Sequence, residues 1–391
     1  MQYACALLAG AVLTASCAHG PRGNRDTLQR ELADSLRAVL DAGIAASAFP
    51  GAYAVVGDSR GVLAEAGAGR IDWRPDAPAP DRRTIWDLAS LTKVVGTTTA
   101  LAQLVERRQV ELDAPVERYL PEWRGPRQDV VRVRHLLTHT SGLPSFRPYD
   151  RQTQDPDSIA RLLFLTGLER APGDSMVYSD IGAFVMGEIV ERVSGMTLDR
   201  YLAANVFTPL GMLHTGFNPP DSTWHRVAPT EIDSLRGGLV LGKVHDERAY
   251  YLGGVAAHAG LFSSAADLAR FATMLLRGGT LDGARILDAG TLRQFTELAE
   301  PGRHNRALGW QKAPAPWAGA GMSLHAYGHT GFTGTSIAVD PELDMYIILL
   351  SNRVNPTRTN PRIGAVRARL ANAVTGTVRA RRNSTSNAGS Q

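Results

Sequence analysis

Ser90 and Lys93 stand three residues apart in the tetrapeptide Ser-Leu-Thr-Lys. Three residues are close to one helical turn, so both side chains would project from the same face of a helix. A serine hydroxyl becomes an effective nucleophile when a neighbouring base takes its proton, and a desolvated lysine amine can be tuned to do this. The pair therefore predicts acyl transfer through a covalent serine intermediate.

The residues that follow this pair indicate a buried helix. Residues 94–105 are almost all apolar or small, and charged residues return only at 106–108. A lysine on a buried helix costs free energy unless it is paired or used in chemistry. This context disfavours the ordinary interpretation, which is a helix cap followed by a solvated lysine.

Two further polar motifs lie far away in the sequence. Tyr178-Ser179-Asp180 ends a Pro-Gly loop just before a predicted helix, and a tyrosine there can hold its hydroxyl at the start of that helix. His329-Thr330-Gly331 precedes a predicted strand over 335–340. Glycine at such a position lets the backbone approach a ligand closely.

The order of these three motifs resembles the penicillin-recognising serine hydrolases. That family includes class C β-lactamases, D-alanyl-D-alanine peptidases and a broad group of related esterases. The resemblance spans roughly residues 28–373 and leaves the substrate open. Three connecting segments are also similar to segments of that family: 136–144, 209–215 and 253–271.

The resemblance implies a role for each motif. Ser90 would attack a carbonyl carbon to give an acyl-enzyme that water then cleaves, and Lys93 and Tyr178 would share the proton transfers. Which of these two is the acylation base stays open. The backbone N–H groups of Ser90 and Phe332, the latter on the strand after His-Thr-Gly, would form the oxyanion hole. Substrate-binding positions would include Asp180, His329, Thr330 and Gly331.

Asp180 departs from the family pattern, which has asparagine at this position. An ionised carboxylate only accepts hydrogen bonds. Beside Lys93 it would stabilise the ammonium and shift the proton transfer toward Tyr178. Two alternatives are open: Asp180 faces the substrate and favours a donor such as an amine, or it caps the helix that starts at Ile181.

His329 is the second departure, because β-lactamases and carboxypeptidases usually have lysine there to hold a carboxylate. Free histidine is mostly neutral at pH 7. We therefore predict an exported serine hydrolase that cleaves an ester or a D-amino-acid-containing amide. β-Lactamase and D-alanyl-D-alanine carboxypeptidase activities are alternatives, and a non-catalytic cell-wall-binding or sensing protein is an alternative from another class.

A metalloenzyme is a rival interpretation. His135 and His139 have the spacing of a zinc-binding helix, but a zinc hydrolase needs a glutamate directly after the first histidine, and Leu136 stands there. We predict no metal and no cofactor. Residues that could have completed such a metal site are His245, Asp246 and His258.

Composition places the chain among folded enzymes. With 391 residues, of which 44% are hydrophobic, it can bury a large core in two subdomains. The net charge is +4, and three arginines of the C-terminal tail supply much of it. Because the positive charge is not gathered on a structured patch, we expect no nucleic-acid partner. The expected partner is a small-molecule or peptidoglycan-derived substrate.

Helix and strand patterns at both ends of the chain surround a helical middle. They predict a helix over 26–40, a hairpin of 52–56 with 62–66, strands at 336–339 and 345–350, and a last helix over about 363–373. This arrangement predicts an α+β fold, and the family resemblance implies the β-lactamase/transpeptidase-like type. An antiparallel sheet would be flanked by terminal helices, next to an all-helical subdomain, with the active site at the seam.

The predicted catalytic domain covers residues 25–375. Its α/β part would be discontinuous, about 25–85 and 240–375, and its helical part would cover about 86–239. Loops at 145–156 and 218–239 are expected to shape the pocket. Residues 380–391 are predicted to form a disordered tail, because from Asn383 onward they contain no large apolar side chain that could pack on the core.

The N-terminus has the pattern of an export signal. An apolar run over 7–16 ends in small residues directly before Cys17, and it is too short to span a bilayer. We predict a lipoprotein-type signal over 1–16, a lipid anchor on Cys17 as the protein's contact with the membrane, and a periplasmic or cell-envelope location. With two cysteines in the chain, cleavage before Cys17 would leave no internal disulfide. A cut near Ala18 that yields a soluble periplasmic enzyme is the alternative.

Overall fold

The structure is a computed structural model that describes residues 21–123 and 125–388, with side chains described from Arg25 to Arg381 except Arg124. The predicted signal and Cys17 lie outside the described residues. No helix within the described ranges is long and apolar enough to cross a membrane.

Ten α-helices are distributed over the described chain. They are α1 (Pro21–Ala45), α2 (Thr99–Glu106), α3 (Val133–Leu137), α4 (Pro156–Phe164), α5 (Asp180–Ser194), α6 (Leu198–Leu202), α7 (Glu247–Tyr251), α8 (Ala265–Leu276), α9 (Ala289–Thr296) and α10 (Ile363–Ala388).

The strands form one large sheet and three small ones. The large sheet is antiparallel, in the order β10-β11-β12-β13-β1-β2, and the order of the three-stranded sheet is β3-β7-β4. Two-stranded pairs are β5-β6 and β8-β9. The strands are β1 (Gly51–Asp58), β2 (Gly61–Gly69), β3 (Ile85–Asp87), β4 (Gly216–Phe217), β5 (Ile232–Asp233), β6 (Gly238–Leu239), β7 (Leu261–Ser264), β8 (Thr280–Leu281), β9 (Ala284–Arg285), β10 (Gln311–Lys312), β11 (Tyr327–Thr330), β12 (Ser336–Asp340) and β13 (Met345–Ser351).

The central strands of the large sheet are buried on both faces. Along β13, Ile348 and Leu350 belong to the main core beneath the helical part, whereas Ile347 and Leu349 belong to the core beneath the terminal helices. Side chains alternate in direction along a strand, so an unbroken apolar run supplies both faces. The predicted β1-β2 hairpin and the pairing of β12 with β13 are confirmed.

The terminal helices cover one face of this sheet. Leu32 and Leu36 of α1 pack with Leu370 and Val374 of α10, and α8 lies on the opposite face. The predicted α+β class, with terminal helices on an antiparallel sheet, is confirmed.

Helix α10 continues past the predicted end near Ala373 and reaches Ala388, so it includes part of the segment expected to be disordered. Val378 continues the apolar face of this helix into the core. Two arginines then extend its contacts: Arg379 donates to the Gly321 carbonyl, and Arg381 pairs with Glu31. These contacts reach distant parts of the chain, and the local composition does not reveal them.

The middle of the chain is mainly helical, as expected, but it is not all-helical. Strands β4, β5 and β6 fall within residues 86–239, and β4 joins the small sheet with β3 and β7. The loop over 218–239 contains the β5-β6 hairpin, and the loop over 145–156 contains a 3₁₀ turn at Tyr149–Arg151. The proposed subdomain boundaries stay a prediction.

Candidate active site

Ser90 lies in a 3₁₀ turn, Ala89–Leu91, and the chain then forms a π-helical segment over Lys93–Thr98 before α2 begins. The sequence predicted a regular helix here. Ala89 has φ of 47°, in the left-handed region that a non-glycine residue seldom adopts. Asp87 Oδ1 accepts the Ala89 N–H at 2.7 Å. Asp87 therefore holds the strained residue that directly precedes the serine.

The Lys93 side chain is almost fully buried, and its ammonium has three acceptors. Nζ lies 3.1 Å from Ser90 Oγ, 2.8 Å from the His258 carbonyl oxygen and 2.8 Å from Asp180 Oδ1. An ammonium group has three N–H bonds. Each N–H bond of Lys93 therefore has one acceptor, and one of these acceptors is Ser90 Oγ, the predicted nucleophile.

Lys93 and Asp180 are both charged at rest. Burial alone lowers the pKa of Lys93, but Asp180 and then Tyr178 outweigh that effect and raise it above the ordinary value. Burial alone raises the pKa of Asp180, but the electrostatic effects of Lys93, then His258 and Arg248, outweigh it and lower the pKa. The pair is therefore an ammonium and a carboxylate.

The sequence left three roles open for Asp180: a contact with Lys93, a contact with the substrate, or a helix cap. In the structure Asp180 contacts Lys93. Asp180 is the first residue of α5, and Ser179 caps the helix, because Ser179 Oγ accepts the Gly182 N–H at 3.0 Å. The helix-cap interpretation of Asp180 is wrong. Asp180 also lies behind Lys93 and does not line the cleft, so the structure does not place it in contact with a substrate.

Tyr178 lies over Lys93, whose Nζ is 5.0 Å from the ring centroid. Its ring is flanked by His139, with ring centroids 4.6 Å apart, and by His329 at 5.8 Å. The hydroxyl is buried and has no hydrogen-bond partner among the described residues, although it is near enough to raise the Lys93 pKa. A buried hydroxyl without a partner is costly, so this oxygen is available for a reacting group.

His139 belongs to this site and not to a metal-binding helix. Helix α3 ends at Leu137, and His139 has φ of 58°. Its Nδ1 accepts the Ser179 N–H at 3.1 Å, whereas His135 Nδ1 accepts the Arg132 N–H. The two histidines therefore do not share one helical face. No cluster of three potential ligands is found within the described ranges.

His329 lies on β11 and is neutral. Burial, followed by the charges of Arg306 and Lys93, holds the pKa of His329 well below its usual value of 6.5. Nδ1–H donates to the Thr330 carbonyl oxygen at 2.9 Å. This leaves Nε2 without a proton, so the imidazole supplies no permanent charge.

The turn after β11 is tied to the residues that precede Ser90. Thr333 Oγ1 donates to the Asp87 carbonyl at 2.7 Å, and Thr335 Oγ1 donates to the Leu88 carbonyl at 3.0 Å. A Cβ at Gly331 would collide with the Leu88 carbonyl, so only glycine permits this approach. Phe332 lies in this turn and not on the strand, which corrects the prediction. Its N–H donates to no other described residue.

A cleft of about 330 Å³ opens over this site. It brings together six predicted residues: Ser90, Tyr178, His329, Thr330, Gly331 and Phe332. It is also lined by five residues that sequence reasoning missed: Arg306, Gln311, Arg353, Ile363 and Arg367.

The sequence profile of the family described as Beta-lactamase matches residues 36–372. A Salmonella agona protein named "Putative D-alanyl-D-alanine carboxypeptidase" is 33% identical over 311 aligned positions, with 72% of each chain covered. The chain belongs to the beta-lactamase family. Like other proteins of this family, it is a serine hydrolase.

Solved structures show the same fold. A penicillin-binding protein homologue from Caulobacter crescentus superposes with a TM-score of 0.72 at 23% identity, covering 88% of this chain and 97% of that one. EstCE1, a hydrolase with promiscuous acyltransferase activity, gives a TM-score of 0.72 at 22% identity, covering 90% and 100%. At these identities the likeness establishes the fold of this beta-lactamase-family protein and not its substrate.

The neutral His329 predicts a cleft without a positive charge to hold a carboxylate. Arg306 supplies such a charge in this family member. The residue is 5% exposed, and among the described residues its Nε and Nη1 have no hydrogen-bond partner and it forms no ion pair with a carboxylate. Its Cζ lies 5.5 Å from the Tyr178 ring centroid. A buried cation without a counterion is costly. It therefore favours binding of an anion.

Two more guanidinium groups line the same wall. Arg367 donates to the Gly331 and Thr335 carbonyls, and burial lowers the pKa of Arg367 to about 10. Arg353 donates to the Phe332 carbonyl and stacks on that ring, 4.2 Å from its centroid. Both groups hold the turn that carries Phe332. These arginines follow no local motif, so the sequence offered no signal for them.

Proposed function

We propose that this protein cleaves an acyl bond in a substrate that carries a carboxylate, with peptides ending in D-alanyl-D-alanine as the first candidate. The observation that carries this proposal is the buried Arg306 in the cleft that Ser90 lines, whose guanidinium has no ion-pair partner among the described residues. The name of the Salmonella agona relative supports the same substrate class. In this proposal the guanidinium supplies the positive charge that neutral His329 lacks.

We assign the nucleophile to Ser90 and the first proton transfer to the Tyr178 oxygen. Asp180 holds Lys93 as an ammonium, so Lys93 stabilises negative charge on the neighbouring oxygens. Ser90 Oγ bonds to the carbonyl carbon and its proton passes to the Tyr178 oxygen. In the same relay the Tyr178 hydroxyl gives its own proton to the amine or alkoxide that leaves as the carbonyl carbon's bond to it breaks.

Deacylation reverses these roles. Water attacks the acyl-serine ester and gives its proton to the Tyr178 oxygen, which returns it to Ser90 Oγ as the product acid leaves. The N–H groups of Ser90 and Phe332 are assigned to the developing oxyanion in both steps. In comparable enzymes, loss of one such donor costs about 3 to 4 kcal/mol of transition-state stabilisation.

A substrate panel tests this proposal. It compares a peptide ending in D-alanyl-D-alanine, its C-terminal amide, an uncharged nitrophenyl ester and a chromogenic cephalosporin. We expect hydrolysis of the peptide acid with a higher kcat/KM than its amide. Ser90→Ala should lose turnover by up to roughly a millionfold on every substrate. If Ser90→Ala keeps wild-type rates, the nucleophile assignment is wrong, and if the amide equals the acid, the carboxylate assignment is wrong.

Labelling with a fluorophosphonate separates this hydrolase from a non-catalytic binding protein. Intact-mass spectrometry should detect one adduct on the wild type and none on Ser90→Ala. A wild-type protein that neither reacts nor hydrolyses any substrate of the panel would favour the cell-wall-binding alternative. Faster hydrolysis of the uncharged ester than of the peptide acid would favour an esterase.

We propose that the protein is exported and anchored through a lipid on Cys17. The support is the apolar run that stops directly before this cysteine. The native protein should partition into detergent with the membrane fraction, and Cys17→Ser should not. A mature N-terminus at Ala18 or beyond would contradict the anchor and support a soluble periplasmic enzyme.

A further inference from the structure

A closed ring of five residues lies behind the cleft. Lys93 bonds to Asp180 Oδ1, and Asp180 Oδ2 accepts from Arg248 Nη2 at 2.9 Å. The same nitrogen of Arg248 donates to Asp246 Oδ2 at 3.0 Å. Asp246 Oδ1 lies 3.0 Å from His258 Nε2, and the His258 carbonyl accepts from Lys93. The ring thus returns to the amine from which it started.

Local structure fixes the far side of this ring. Asp246 caps α7, since its Oδ1 also accepts the Ala249 N–H at 3.0 Å, and this places Arg248 in the first helical turn. The segment that carries His258 is held to the Lys93 helix, because Thr97 Oγ1 donates to the Ala257 carbonyl at 2.7 Å. Asp246 is therefore the point at which the helix cap, the arginine and the histidine meet.

The ring pairs buried groups of opposite charge. Lys93 and Arg248 are cations, Asp180 and Asp246 are anions, and His258 lies beside Asp246. Burial alone raises the pKa of Asp246, but His258 and Arg248 outweigh it and hold that pKa well below its ordinary value. An asparagine at position 180 would carry no charge, so it would need no second cation beside Lys93. The carboxylate adds a charge that Arg248 shares with Lys93, so loss of one member leaves another buried charge uncompensated.

We propose that Asp246 is a positioning residue for the Ser90–Lys93 pair, an inference that rests on the proposed function of Ser90. Asp246 acts through Arg248 and His258, which hold the two acceptors on either side of the Lys93 ammonium. With Asp180 and the His258 carbonyl fixed, two N–H bonds of Lys93 have set directions. The third is then directed at Ser90 Oγ.

Asp246→Asn is the direct test, because it removes the charge and keeps an oxygen for the helix cap. On an uncharged nitrophenyl ester we expect kcat to fall by about tenfold to hundredfold with little change in KM. Fluorophosphonate labelling of Ser90 should slow by the same factor. Asp340→Asn is the matched control, since Asp340 is fully buried and accepts hydrogen bonds from Ser323 and the following turn. Its labelling rate should stay at the wild-type value.

A second pair of variants keeps the inference testable if Asp246→Asn folds poorly. Arg248→Gln alone leaves the Asp180 charge shared with one cation, whereas Arg248→Gln combined with Asp180→Asn removes both charges. The double variant should label faster than Arg248→Gln alone.

Three results would overturn the inference: a wild-type labelling rate in Asp246→Asn, an equal loss in Asp340→Asn, or a double variant no faster than Arg248→Gln. Ser90→Ala must be inactive in the same assays. An active Ser90→Ala would refute the proposed function itself, so the two failures are distinguishable.

Discussion

The two buried cationic regions of this site differ in how their charge is compensated. Behind the cleft, each N–H of Lys93 has an acceptor, and one of these acceptors is the carboxylate of Asp180. At the cleft wall, Arg306 has two nitrogens without a hydrogen-bond partner, and no ion pair, within the described part of the chain. A compensated cation is fixed in place for chemistry, whereas an uncompensated cation is available to an anionic ligand.

Replacing Lys93 should have the largest effect on both activity and stability. We expect Lys93→Met to lower kcat on every substrate by about ten-thousandfold, since catalytic groups that act as a unit fail together. The change also removes one of the two cations beside Asp180, and the free energy of unfolding should fall by about 2 to 4 kcal/mol. Steady-state kinetics and urea denaturation measure the two effects. A Lys93→Met protein with wild-type stability would show that the Lys93–Asp180 ion pair does not contribute to the free energy of unfolding.

Replacing Arg306 should have the opposite effect on stability. Arg306→Met removes a buried cation that has no counterion among the residues the structure describes, so the free energy of unfolding should stay unchanged or rise by about 1 kcal/mol. Arg192→Met, at an exposed arginine that pairs with Glu122, is the control and should change stability by less than about 1 kcal/mol. A large loss of stability in Arg306→Met would mean that this side chain is structural, and the contrast between the two regions would fail.

The buried histidines of the cleft should make stability depend on pH. The pKa values of His139 and His329 lie well below 6.5 because of burial and nearby cations. Below that pH the unfolded chain binds protons that the folded chain does not, so stability falls as pH falls. His329→Gln should reduce the slope between pH 6.5 and 5 by about 1 kcal/mol per pH unit. An unchanged slope in urea titrations at several pH values would show that His329 is not the group responsible.

The sequence predicted the parts of the molecule whose signals are local. The apolar runs at 52–56 and 345–350 defined central strands, and the spacing of Ser90 and Lys93 placed two side chains together. The order of motifs along the chain identified the family.

The remaining features depend on contacts between distant segments. The residues just before Ser90 are tied to the distant β11–β12 turn through Thr333 and Thr335. The role of Asp180 is decided by Arg248, and the charge of the cleft comes from Arg306 and Arg367. For each of these residues, the sequence immediately around it does not indicate which distant residue it contacts.

Acylation of Ser90 by matched peptides tests the central claim most directly. Two peptides ending in D-alanyl-D-alanine, one with a free C-terminal carboxylate and one amidated, would be compared by rapid-quench mass spectrometry with wild type and Arg306→Gln. A hydrogen-bonded charge contact to a carboxylate contributes about 1.5 to 3 kcal/mol, so wild type should prefer the free acid by about tenfold to hundredfold. Arg306→Gln should lose that preference and acylate from the amide at the wild-type rate. Equal acylation of wild type by the two peptides, or a preference for the acid that survives in Arg306→Gln, would contradict the account.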